Sequence, residues 1–173
     1  MRKVLLALVV AGAALAAVTG AFAGGGYGGY GDDGTTTTAS TSSKAGAGGE
    51  TYSFKAAMTV GQEVPHPTAP AGAAGTFTAK STENGSTVSF HWVLTFHGLS
   101  GKAVAAHVHA GKKGKAGAPL ISLCGPCKSG QSGTVKIKGA VEEALEKGGA
   151  YVNVHTAKNG AGEIRGQVRL VGK

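Results

Sequence analysis

The chain has 173 residues, 31 of them glycine, and carries 17 basic against 9 acidic side chains for a formal charge of +8. That charge does not make it a reader of nucleic acid. Its one dense basic cluster, Lys112, Lys113 and Lys115, lies in a glycine-rich stretch with neither a helix nor interleaved aromatics. No stretch after the first two dozen residues is apolar for long enough to span a membrane.

Residues 1–23 have the three parts of a secretory signal: the charged start Met1-Arg2-Lys3, an apolar run from Val4 to about Val18, and the small-residue ending Ala21-Phe22-Ala23. Cleavage after Ala23 is expected. A membrane anchor is the competing reading, but the run falls short of the roughly 20 apolar residues a spanning helix needs. The residue directly after the cleavage point is Gly24, not a cysteine, which argues against a lipoprotein anchor.

Residues 24–49 hold Gly24-Gly25-Gly26, Thr35-Thr36-Thr37-Thr38 and Ser42-Ser43, with Tyr27 and Tyr30 as the large side chains. Such a composition buries too little apolar surface to offset backbone entropy, so a flexible linker is expected, with a sticky Gly-Tyr adhesive segment as the alternative. Residues 50–173 then form one domain. Arg2, Lys3 and Lys44 on one side and Asp32 and Asp33 on the other lie outside it, which leaves the domain at +7. Such a surface is suited to anionic envelope polymers as partners, or simply to solubility.

Within the domain, Tyr52, Phe54, Ala56, Met58 and Val60 alternate with polar or small residues, the pattern of a strand with one buried face. Pro65 and Pro67 break the ladder after it. A shorter strand from Gly75 to Lys80 is followed by Asn84-Gly85, a pair favoured in tight hairpin turns. Val88, Phe90, Trp92, Leu94 and Phe96 then alternate against Ser89, His91, Val93, Thr95 and His97, with the aromatic set as core.

Further strands are expected at Ala103–His109, Leu120–Leu123, Thr134–Lys138, Ala150–Thr156 and Gly162–Leu170. Val141, Ala144 and Leu145 at helical spacing, stopped by Gly148-Gly149, predict one short crossover helix. The fold class that results is all-β, an antiparallel, Greek-key-like β-sandwich or barrel with a single helix.

The chemistry concentrates in two strands. Side chains alternate across a strand, so His107 and His109 share one face while Val104, Ala106 and Val108 line the other. Their Cα atoms are then about 6.5 to 7 Å apart, close enough for both rings to converge on a metal held about 2.0 Å from each nitrogen. In Tyr151-Val152-Asn153-Val154-His155-Thr156 the same alternation lets a neighbouring strand bring in a third imidazole. Two or three imidazoles suit copper or zinc, with Cu(II) the tighter binder. The competing reading has the rings hydrogen-bonding within a polar face and orienting Tyr151, Asn153 and Thr156.

His91 and His97 are separated by about 20 Å of strand, so at most one of them joins a common ion. His66, between two prolines, reads as an exposed loop residue. Glu63, Glu163 and Arg165 are candidates for hydrogen bonds around the site or for a structural ion pair. Cys124-Gly125-Pro126-Cys127 spells a thioredoxin-type tetrapeptide, but Lys128-Ser129-Gly130-Gln131-Ser132-Gly133 is too glycine-rich to supply the helix N-terminus that lowers a thiol pKa. A disulfide between Cys124 and Cys127 is the expectation, with a thiolate metal site or a redox role as alternatives.

Four stretches in order, Gly61-Gln62-Glu63-Val64-Pro65, Ala106-His107-Val108-His109, Tyr151-Val152-Asn153-Val154-His155-Thr156 and Gly162-Glu163-Ile164-Arg165-Gly166-Gln167, resemble the CHRD domain, named from the extracellular protein chordin. The resemblance runs from about Tyr52 to Leu170. It implies an extracytoplasmic β-sandwich or barrel, compared in fold to Cu/Zn superoxide dismutase and found in many bacterial secreted proteins. In chordin such domains accompany growth-factor binding.

The His-x-His is also similar to the copper-ligand pair of that dismutase family. A dismutase of the usual kind needs a bridging His and a zinc site of His and Asp, and no His or Asp lies between His109 and His155. The reading at this level is a secreted or periplasmic binding module with His107, His109 and His155 as metal ligands. A copper-dependent, superoxide-active enzyme and a metal-free structural or adhesion domain stand as alternatives.

Overall fold

A computed structural model describes residues 49–173; the expected signal at 1–23 and all of the expected linker at 24–49 except Gly49 lie outside the described residues. The elements in chain order are β1 (Thr51–Thr59), a 3₁₀ turn (Val60–Gln62), β2 (Ala74–Asn84), β3 (Thr87–His97), β4 (Ala103–Ala110), β5 (Pro119–Cys124), β6 (Gln131–Ile137), α1 (Gly139–Glu146), β7 (Ala150–Thr156), β8 (Ile164–Gln167) and β9 (Arg169–Gly172). All strand pairs are antiparallel. The nine strands form one sheet in the order β5-β4-β7-β8-β1-β2-β3-β6, with β9 also on β1. Curled on itself, this sheet makes a nearly closed barrel, as the alternation patterns predict.

The core is the inward face of that sheet. Phe54, Phe77 and Phe90 meet at centroid distances of 6.2 and 6.3 Å, and Leu94, Ala106, Val108, Val152, Val154 and Ile164 are fully buried around them. Trp92 lies opposite Gly133 across the β3–β6 ladder. A Cβ at Gly133 would come within 2.7 Å of the indole, so only glycine fits beneath that ring.

Helix α1 connects β6 to β7. It buries Leu145 completely and seats the Glu142 carboxylate against the Ser81 hydroxyl of β2. Gly148, at φ 65°, ends it, with the Gly148 and Gly149 amides donating to the Leu145 and Ala144 carbonyls, a Schellman arrangement.

Several expectations need correction. Val104 does not join the core; a register shift between Ala103 and Ala105 turns Ala103 inward and leaves Val104 44% exposed. Phe96 is only partly buried, since its ring lines an open groove together with Leu99, Pro126 and Cys127. The strand expected at Gly162–Leu170 is two: β8 pairs with β7, the chain turns inward at buried Val168, and β9 pairs with β1. β2 is longer than Gly75–Lys80, since its whole length has a partner in β3.

Cys124 and Cys127 have their sulfurs 2.10 Å apart, bonding distance, across the turn between β5 and β6. The residues directly after Cys127 form a turn and then strand β6, not a helix, so the thioredoxin-like spelling has no thioredoxin-like setting.

Two stability outcomes follow. Phe90→Ala is expected to cost about 3–5 kcal/mol in denaturant unfolding, since the ring is wholly enclosed. Replacing both cysteines by serine is expected to cost only about 2 kcal/mol, because the loop they close is short.

Candidate metal centre

Strands β4 and β7 pair with Val108 opposite Val152, His107 opposite Asn153, His109 opposite Tyr151, and Ala105 opposite His155. The valines face the core, so the histidines face outward, and His155 lies one diagonal step from His107. The result is a triangle of imidazoles. Ring centroids are 5.0 Å apart for His107 and His155, 5.6 Å for His107 and His109, and 6.1 Å for His109 and His155. Among the described residues, His107, His109 and His155 each offer one nitrogen such that all lie within 4.8 Å of one another. His91, bonded to Thr134 Oγ1 at 3.0 Å, and exposed His97 and His66 stay outside this group.

The backbone fixes which nitrogens are available. His109 Nδ1 is 2.9 Å from the Gly117 carbonyl and His155 Nδ1 is 3.0 Å from the Gly160 carbonyl. A carbonyl only accepts, so both Nδ1 atoms carry the proton and both Nε2 atoms present a lone pair. The Nε2 of His109 is buried and has no hydrogen-bond partner. That of His155 lies 3.1 Å from His107 Nδ1, which donates to it while the ring holds its proton there.

Burial lowers the pKa of His107, helped by the neighbouring His109. Burial also lowers that of His155, more than the Gly160 carbonyl raises it, with His107 and His109 adding to the decrease. Neutral imidazoles, the form that binds metal, are therefore favoured at pH 7.

A stack of three side chains holds His109 in place. Its ring lies parallel to Tyr151 at 5.0 Å and 9°, and the Arg165 guanidinium sits 3.4 Å from the centre of the Tyr151 ring. Arg165 is buried and donates from Nη2 to the carbonyls of Lys112 and Lys115, at 3.1 and 2.9 Å. The Gly117 amide donates to the Tyr151 hydroxyl. One arginine thus braces both the tyrosine behind His109 and the loop whose carbonyl orients the imidazole.

The other polar residues singled out in the sequence organise the surroundings. Glu163, fully buried, accepts from Ser100 N and Oγ at 2.5 Å each, Thr156 Oγ1 at 2.6 Å and Asn159 Nδ2 at 2.8 Å. Burial works to raise its pKa, but the donors from Ser100, Thr156 and Asn159 outweigh burial and hold it below the usual value. It fastens the turn that carries Gly160, the acceptor for His155.

Glu63 is buried against Gly162, where a Cβ would strike its carboxylate, and accepts from the Val64 amide at 3.0 Å. Burial raises its pKa despite Val64, Arg165 and Asn153. Asn153 lies between His107 and Arg165 in the strand register and is almost fully enclosed. Of the two roles open to Glu63, Glu163 and Arg165, hydrogen bonding is the one observed; among the described residues none of the three has an oppositely charged partner within 4.0 Å. Gly117, Gly160, Ser100 and Asn159 were not legible as site residues, since backbone carbonyls and loop hydroxyls leave no pattern in a sequence.

The four convergent stretches, the barrel and the triangle of imidazoles describe a small β-domain with a polar cap on one outer face. The CHRD domain model matches residues 54–168, and the chain belongs to that family. Searches of curated proteins and of solved structures find no match.

The lowered histidine pKa values make stability depend on pH with a definite sign. The unfolded chain takes up protons near pH 6.5 that folded His107 and His155 resist, so stability is fully present above that pH and falls as acid is added. In the metal-free protein, the urea midpoint is expected to drop between about pH 7.5 and pH 5.5, and the drop should shrink in His155→Gln.

Proposed function

We propose that this CHRD domain is an exported binding module whose His107, His109 and His155 hold a transition metal, with copper preferred. The observation that carries the reading is the cluster itself, three imidazoles each offering a nitrogen within 4.8 Å of the others, and in it His109 keeps a buried Nε2 without a partner. A buried polar atom without a partner costs free energy unless something occupies its lone pair. Three nitrogens held about 2.0–2.1 Å from one ion in a tetrahedral or trigonal array are about 3.3–3.6 Å apart, so the widest side of the triangle, at up to 4.8 Å, needs to close by about 1.2–1.5 Å.

The donors would be His107 Nδ1, His109 Nε2 and His155 Nε2, with the His107 proton moving to its outer nitrogen. An all-imidazole set contains no hard carboxylate ligand, and among divalent ions it favours Cu(II), with Zn(II) weaker. When bound, copper supplies a one-electron couple or a fixed positive charge. Storage, sensing and stabilisation are the roles within this reading.

Export fits the signal-like residues 1–23 and the Cys124–Cys127 pair, which persists in oxidising compartments. The proposed location is secreted or periplasmic. Exposed Lys112, Lys113 and Lys115 suit anionic envelope polymers as a secondary partner.

Isothermal titration of the purified protein at neutral pH is expected to show one Cu(II) per chain. His109→Ala should weaken uptake by about 100-fold or more, and Arg165→Met by about 10-fold through loss of the stack, with His66→Ala unchanged. Equal effects at His109 and His66 would remove the assignment. If copper binds and superoxide is not consumed, the module stands and the enzymatic alternative fails.

A further inference from the structure

At one end of the barrel the inward row of β3 runs out before it is covered. Val88, Phe90, Trp92 and Leu94 are buried, but Phe96 is left half open, and Leu99 beside it is also only partly enclosed. Together with Pro126 and Cys127 they floor an open groove of about 520 Å³. That volume falls within the range of small-molecule sites, about 300–1,000 Å³, which are mostly apolar with a few placed polar groups.

The groove is preformed. Its far wall is the 125–130 turn, held to β4 by the Cys127 amide on the Ala103 carbonyl at 3.0 Å. The same turn is held to β3 by the Gly130 amide on the Leu94 carbonyl at 2.9 Å and the Phe96 amide on Ser129 Oγ at 2.9 Å. The Cys124–Cys127 bond closes that turn, which gives the tetrapeptide a structural purpose without redox chemistry.

The rim carries charge of one sign. That charge comes from Lys102 and Lys128, no acidic residue lines the groove, and among the described residues neither lysine is ion-paired. An apolar floor beneath two unpaired ammonium groups is complementary to an alkyl chain ending in a negative charge. We infer that this groove binds a linear monocarboxylate amphiphile of fatty-acid type, its chain along Phe96, Leu99 and Pro126 and its carboxylate between Lys102 and Lys128. None of His107, His109 and His155 lines the groove, so the site is independent of the metal reading.

Sodium decanoate, titrated into the purified full chain by calorimetry and by amide NMR, tests this. The expected result is saturable one-to-one binding, with amide shifts at Phe96–Ala103, Cys127 and Lys128. The exposed double variant Lys102→Glu/Lys128→Glu should bind at least about tenfold more weakly while melting like the parent. No saturable binding up to about 1 mM would overturn the proposal. Equal affinity for decyltrimethylammonium, or undiminished affinity in the double variant, would also overturn it.

Discussion

The register between β4 and β7 is the constraint on which the rest depends. Val108 opposite Val152 and Ala106 opposite Val154 place four apolar side chains in the barrel interior, all of them fully buried. Because the side-chain period of a strand is two, the same register puts His107, His109 and His155 on the outer face and brings them together there. A slip of one residue would drive imidazoles into the core and valines into water. The energy that fixes the histidine triangle therefore comes mostly from hydrophobic burial on the opposite side of the same two strands.

Outer faces of antiparallel sheets are ordinarily wet. Here Tyr151, Asn153, Glu163 and Arg165 are almost wholly buried although they point away from the core. Loops cover them, held down by the buried charged side chains Arg165, Glu163 and Glu63. Arg165 takes the 112–115 carbonyls, Glu163 takes Ser100 and Asn159, and Glu63 packs against Gly162. The four stretches of the sequence resemblance thus meet in one polar cap, and the loops of this cap give two of the histidines their tautomer.

The cap also illustrates how polar burial is tolerated. Glu163 satisfies its carboxylate with four donors and titrates below the usual range, whereas Glu63 has one amide and an unpartnered Oε2, and its pKa is pushed up by burial. Two buried glutamates on one surface differ in charge preference because one has donors and the other mainly has enclosure.

Alternation alone determined the all-β class, the core faces of β1 and β3, and the side of the strand on which His107, His109 and His155 stand, because a strand's period is a local property of the backbone. The short helix and its glycine stop were legible for the same reason. Tertiary structure decided what depends on partners. It turned Val104 outward at a bulge, split the last strand at Val168, left Phe96 uncovered, and set the Gly117 and Gly160 carbonyls against two imidazoles. Those outcomes follow from which segments lie beside one another across the barrel, and contacts between residues far apart in the chain leave no periodic trace in it.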